Sequence, residues 1–378
     1  MSRKLITIST IMTLMSTSVI ADVPNVAADI APIHSLVSRV MDGVGAPKLI
    51  VQSGASPHGY RLRPSEAKAL QDADHVFWMG EELTPWLDSA IGTLASKASV
   101  TTLLDQQGVI LHDFREGALF EAHDHSAHGD DDHKDHDDHD DHDDHKDHDD
   151  HDDHDDHDDH KDHDDHDDHD DHDDHDEHDD HDDHDDHDDH DDHDDHKDHD
   201  DHDDHDDHGS HDPHAWLSPE NAKLWLNIIA SKLSVSDPEN AATYFMNAAA
   251  GQAEIEAMIA EVKATLKPVQ GGKFVVFHDA YQYFENDFDF YASGAISLGD
   301  SSDPSPARIE KVQKRIRDEG IQCVLAEPQF KKGLVATVME GSDATASVID
   351  PLGAELETGP KLYTRLIKNM AKTLRNCL

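Results

Sequence analysis

From His133 to His211 a histidine stands at every third position, with aspartate in nearly all the places between. No other feature constrains folding as strongly. Residues 122–211 hold 30 histidines, 50 acidic residues and four lysines, and their only aliphatic residues are two alanines. Such a segment has no apolar surface whose burial offsets the entropy of ordering it, so a disordered insert is expected. It also distorts the composition. The formal charge of −55 describes the insert, because 26 basic and 35 acidic residues remain outside it. That mildly acidic balance gives no reason to expect a nucleic-acid partner.

At three residues per turn, an extended or polyproline-like chain lines the imidazoles along one edge. Imidazole and carboxylate both ligate first-row metals, and dense negative charge raises the local cation concentration. The regular tract opens with His133, His136, His139, His142, His145, His148 and His151. Its histidines are read as interchangeable weak sites that collect metal without selecting one. A solvated spacer is the alternative. Protonation near the ordinary histidine pKa of about 6.5 competes with metal, so release is expected as pH falls through that region.

The first residues, "MSRKLITISTIMTLMSTSVIA", place Arg3 and Lys4 before an apolar, hydroxyl-rich stretch and a small-residue site at Ala21. A secretory signal over residues 1–21 is expected rather than a membrane anchor, which makes the mature chain an exported one. Cys323 and Cys377 are the only cysteines. In an exported chain an isolated pair reads as a disulfide, with two buried thiols as the other reading.

Outside the insert, short apolar runs alternate with helical patterns. "NVAADI", "PKLIVQ" and "HVFWMG" read as strands separated by helices, and the grammar resumes with "KFVVFHD", "IQCVLAE" and "ASVID". This predicts an α/β fold of two βα sandwich lobes with parallel sheets, residues 22–236 and 268–378. Between them, residues 237–267 predict one long rigid helix, with Asp237 as N-cap and Pro238 in its first turn. A break at Gly251 is the alternative. A stiff connector implies little change of shape on ligand binding.

Six histidines lie outside the repeat. His34 falls on a helix and His75 opens a strand, and both read as structural. His112 sits just before the insert. The other three stand at strand ends or in loops: His58 in "GASPHGYRLRPS", His214 in "DPHAWLSPENA" and His278 in "FHDAYQYFE". Asp350, in "VIDPLG", ends a strand in the same manner. Open α/β sheets bind ligands at such edges, so the four are expected to meet between the lobes as a metal site.

These motifs, with "AEPQF" and "DPLG", resemble the periplasmic metal-binding receptors of ABC importers, and most closely the zinc receptors of Gram-negative bacteria. The resemblance covers essentially the whole chain. It implies two α/β lobes on a long helix and a metal bound between them by His58, His214 and His278. The family's variable fourth position falls on Asp350, and the Glu that some members carry beside the first histidine is Pro57 here. The family's second-lobe disulfide matches Cys323 and Cys377. Manganese receptors resemble a pattern with Glu where His278 stands, so zinc is implied as the ligand. The implied partners are a membrane permease and its cytoplasmic ATPase, and the receptor is expected to act as a monomer.

Three imidazoles with at most one carboxylate suit tetrahedral Zn²⁺. A hydrolytic zinc enzyme uses a similar set, but no H-E-x-x-H pair occurs. A zinc buffer without a transporter is the other alternative. Buffering requires only the repeat, whereas this chain also carries two folded lobes.

Overall fold

The computed structural model describes residues 23–115, 120, 211–297, 304–330 and 332–378. The expected signal segment and the metal-collecting repeat, apart from its last histidine His211, lie outside the described residues.

Two four-stranded sheets, each wholly parallel, carry the fold. The first contains β1 (Val26–Ala28), β2 (Lys48–Leu49), β3 (His75–Trp78) and β4 (Ser99–Thr102), in the order β2-β1-β3-β4. The second contains β5 (Phe274–His278), β6 (Ala295–Ser297), β7 (Cys323–Ala326) and β8 (Thr345–Val348), in the order β6-β5-β7-β8. Counted from its own first strand, each sheet has the same order. Parallel neighbours require crossovers. Helices α1 (Ala31–Val40), α2 (Pro64–Gln71) and α3 (Pro85–Leu94) serve the first sheet. Helices α6 (Gln282–Phe288), α7 (Pro306–Glu319) and α8 (Lys332–Met339) serve the second. The chain passes from one sheet to the other through α4 (Pro219–Ser236) and α5 (Ala241–Leu266), and α9 (Leu362–Cys377) follows β8. Among the described residues no helix is long and apolar enough to cross a membrane.

Alternation along the strands divides the core. In β5, Phe274 and Val276 face one apolar cluster, whereas Val275 and Phe277 face another that includes Val312 and Ile316 of α7. In β3, Phe77 belongs to the first of these clusters, while Val76 and Trp78 pack with Leu70, Leu87 and Ile91. Each sheet thus has a private outer layer. The inner layer is shared and runs from Phe77 through Trp225, Tyr244 and Met258 to Val276 and Leu374. Each of these large side chains contributes about 1.5–3 kcal/mol by leaving water.

The connector differs from its sequence reading at its start. Helix α4 runs to Ser236, and Asp237 ends it rather than capping the next helix. Chain reversal uses residues 237–240, and α5 begins at Ala241 behind Asn240. The buried Asp237 carboxylate sits at the corner, accepting from Asn240 Nδ2 and Tyr244 OH, each at 2.7 Å. From there α5 is unbroken for 26 residues, about 39 Å of rod. Gly251 does not interrupt it. A Cβ at that position would meet Leu226 Cδ1 at 2.9 Å and Arg39 Cγ at 3.1 Å, so the glycine lets α5 lie close on α4 and α1. Cys323 and Cys377 form a disulfide, joining the start of β7 to the last turn of α9.

In a sheet of this order the crevice lies where neighbouring crossovers diverge, between the first and third strands. At that place in the first sheet the buried Asp29 carboxylate accepts from the N–H groups of Ile30 and Met79, both at 2.7 Å, and so ties the end of β1 to the end of β3. The equivalent place in the second sheet is occupied by His278 and Glu327.

Candidate metal centre

His278 is the last residue of β5 and is buried. Its Nδ1 lies 2.5 Å from Oε1 of Glu327, a buried carboxylate just beyond β7. Glu327 Oε2 in turn accepts from Gln329 Nε2 at 2.7 Å. His214 precedes a short 3₁₀ turn, Ala215–Leu217, that leads to Ser218, the N-cap of α4. Asp212 Oδ1 accepts from the His214 backbone N–H at 2.9 Å and lies 2.6 Å from its Nδ1. The Tyr283 hydroxyl holds that loop by donating to the Asp212 carbonyl at 2.7 Å. His58 is half-buried in the loop between β2 and α2. Trp86 at the start of α3 steadies this loop by donating its indole N–H to the Pro57 carbonyl at 2.7 Å.

One ring nitrogen from each of His58, His214 and His278 lies within 4.8 Å of the others. Two of these atoms, His214 Nε2 and His278 Nε2, stand 3.4 Å apart. A carboxylate can only accept, so Asp212 and Glu327 hold the proton on Nδ1 of their histidines and leave each Nε2 as a lone pair. Two lone pairs at that distance repel each other unless a cation lies between them. The cavity they face measures about 10 Å³, room for one ion or water. Its walls are completed by Pro57, Trp216, Gln329, Pro351 and Leu352.

The structure does not bring Asp350 into this group. Its Oδ1 accepts from the N–H groups of Leu352 and Gly353 at 3.0 and 2.8 Å, and its Oδ2 accepts from Ala354 at 2.6 Å. The carboxylate closes its own turn, and withdrawing it would leave three donors unpaired. Among the described residues, His34, His75 and His112 are not part of the triad. His34 Nε2 meets the Pro47 carbonyl at 3.2 Å, His75 Nε2 meets Ser236 Oγ at 2.7 Å, and His112 Nε2 meets Asn286 Nδ2 at 3.2 Å.

Beside the site, Arg115 inserts its guanidinium between two buried carboxylates, Asp279 and Glu285, and covers the Phe120 ring at 3.6 Å. Burial pushes both carboxyls above their usual range, and the arginine opposes that shift. At the root of the insert, Asp113 and His211 form an antiparallel bridge, with His211 Nδ1 2.8 Å from Asp113 Oδ1. Asp212 and Glu327, the carboxylates against two of these rings, and Arg115 were not singled out in the sequence. The carboxylate two residues ahead of the histidine in "DPH", and the one in "AEPQF", were the available signals.

A family profile described as "ZnuA: Zinc-uptake complex component A periplasmic" matches residues 26–377. The high-affinity zinc uptake system protein ZnuA of Brucella abortus is 44% identical over 353 residues, covering 93% of this chain and 91% of that protein. The protein of the same name from Paracoccus denitrificans is 40% identical, covering 95% and 93%. The one from Haemophilus influenzae is 33% identical, covering 100% and 99%. Among solved structures, a crystal structure of ZnuA aligns with a TM-score of 0.62 over 94% of this chain and 99% of the other, at 18% identity. A zinc-bound ZnuA lacking residues 138–173 in its own numbering aligns at 0.61, with 94% and 98% covered and 18% identity. At that identity the structures speak for the fold alone; the profile and the sequence relatives span nearly the whole chain. Paired sheets, a triad of histidines from two loops and one strand end, and relatives matched from end to end converge on one assignment: the chain belongs to the ZnuA family of periplasmic zinc-uptake components.

Proposed function

We propose that this protein captures Zn²⁺ in the periplasm with His58, His214 and His278 and delivers it to the permease of an ABC importer, powered by a cytoplasmic ATPase. The separation of His214 Nε2 from His278 Nε2, 3.4 Å, carries the reading. Two nitrogens at tetrahedral angles about 2.05 Å from zinc stand about 3.3 Å apart. Their tautomers, set by Asp212 and Glu327, present lone pairs toward that point. Zinc is the cargo here: the cavity that the three histidines face has room for about one ion, and the relatives matched over nearly the whole chain are zinc uptake proteins. This supports a receptor over a hydrolase.

In this reading the repeat from His133 onward gathers zinc and holds it loosely, while the triad binds one ion tightly. A zinc titration against a competing chelator tests the division, using the mature chain and a version lacking residues 123–210. One tight site is expected in both, and His58→Ala or His278→Ala is expected to abolish it. Loss of tight binding with the repeat would overturn the assignment and leave a buffer on a receptor scaffold.

A further inference from the structure

Helix α9 carries a charge pattern that the metal centre does not use. Its apolar side, with Leu362, Leu366, Met370 and Leu374, belongs to the shared core. Its other side carries Arg365, Lys368, Lys372 and Arg375, and Lys361 stands immediately before the first turn. Spacings of four, three, four and three residues bring all five within about 80° around the axis, in a row about 21 Å long. The helix contains no acidic residue. Lys368 meets Glu261 of α5 at 2.5 Å. The other four are exposed, and among the described residues none of them has an ion pair.

Helix stability does not account for the row. Like charges three and four residues apart repel one another. Lys361 and Arg365 also lie at the amino end, where the backbone dipole disfavours cations. Arg375 alone lies in the last turn, where a cation is favoured. Nor does composition account for it, because acidic residues outnumber basic ones 35 to 26 outside the insert. The row therefore fits an anionic partner. Its charges do not converge on one point; spread along a line, they suit a plane of many phosphates better than a single bound anion.

We propose that the exposed row of α9 is a contact surface for an anionic phospholipid bilayer. This rests on delivery to a permease, as proposed above, only for the nearness of a membrane. At physiological salt a charge reaches about 8 Å, so the row acts on what it touches and acidic groups farther off are screened. Such contact is weak and reversible, and it holds the protein near the plane in which a permease lies.

Flotation of the full chain with vesicles of equal parts phosphatidylglycerol and phosphatidylethanolamine tests this, with phosphatidylcholine vesicles as the uncharged reference. Binding is expected to the first and not to the second, and it should weaken as salt is raised. Each cation at such a surface contributes about fivefold, so Arg365→Gln with Lys372→Gln is expected to lower the partition coefficient roughly 25-fold. Lys48→Gln with Lys97→Gln removes the same charge from exposed positions at β2 and before β4. That pair is expected to bind vesicles as the unaltered protein does. Both pairs should keep their zinc affinity, whereas His58→Ala should lose zinc and still bind vesicles, so the two readings fail separately. No binding to the anionic vesicles, equal binding to both kinds, or equal weakening by the two pairs would overturn the proposal. Polyglutamate bound through Arg365 and Lys372, with anionic vesicles ignored, would overturn it in favour of an acidic protein partner.

Discussion

Glu327 Oε1 lies 2.5 Å from His278 Nδ1 across 49 residues of sequence, joining the end of β7 to the end of β5. The contact fixes both the rotation of the ring and its tautomer. Glu327→Ala removes both constraints, and zinc affinity is expected to fall about 10- to 100-fold, the usual range for such partners. Chelator competition measures it. An unchanged affinity would mean that packing alone orients His278.

Arg115 balances the buried pair Asp279 and Glu285. Arg115→Met leaves two buried carboxylates side by side, and a loss of about 3–5 kcal/mol is expected near neutral pH. Its sign with pH is fixed by linkage. Carboxyls raised in the folded state bind protons that the unfolded chain has already released, so stability falls as pH rises through that window. The variant should therefore be closer to the unaltered protein at pH 5 than at pH 8. Urea unfolding at the two pH values checks it.

Cys323 lies buried at the start of β7 and Cys377 closes α9, 54 residues later. A loop of that length gives about 4 kcal/mol of stabilisation in the chain-entropy model. Reduction, or the pair Cys323→Ala and Cys377→Ala, is expected to lower the urea midpoint while zinc binding persists below the transition. Equal midpoints with and without reductant would contradict this.

Burial holds the His34 ring below its ordinary pKa, opposed by its contact with the Pro47 carbonyl. Above about pH 6.5 the ring is neutral in both folded and unfolded chains, and its contribution to stability is fully present. As pH falls below that value the unfolded chain takes up a proton that the folded one refuses, and stability declines until the folded ring titrates. His34→Gln keeps a donor for Pro47 without a titrating group. Its stability curve is expected to be flatter than that of the unaltered protein between pH 7 and pH 5, by denaturant titration in the absence of metal.

Strands buried on both faces were legible in the sequence because they read as unbroken apolar runs, as in Phe274–His278 and His75–Trp78. Two edge strands escaped notice. Ser99–Thr102 carries one aliphatic residue, Val100, which is exposed, and Ala295–Ser297 is only three residues long. The start of α5 was misplaced because Asp237-Pro238 satisfies the local rule for a helix beginning. The requirement that overrode it, a turn long enough to fold α5 back against α4, is tertiary. The three histidines stood out by their places at strand ends and in loops. Glu327 did not, since nothing local in "AEPQF" announces a ring nitrogen from another strand. Asp350 ends a strand as read, and three backbone donors of the turn after it hold its carboxylate, a bond pattern that only the folded turn reveals.

The shared inner layer bears on how an ion gets out. Two halves that share Trp225, Tyr244 and Met258 would breach a common interior by swinging apart, so on the proposed reading release is a local event. His278 is fastened to a central strand, and His214 is pinned through Asp212 to Tyr283. His58 stands on a partly exposed loop outside any regular element. On the proposed reading, that loop is the door by which zinc would leave.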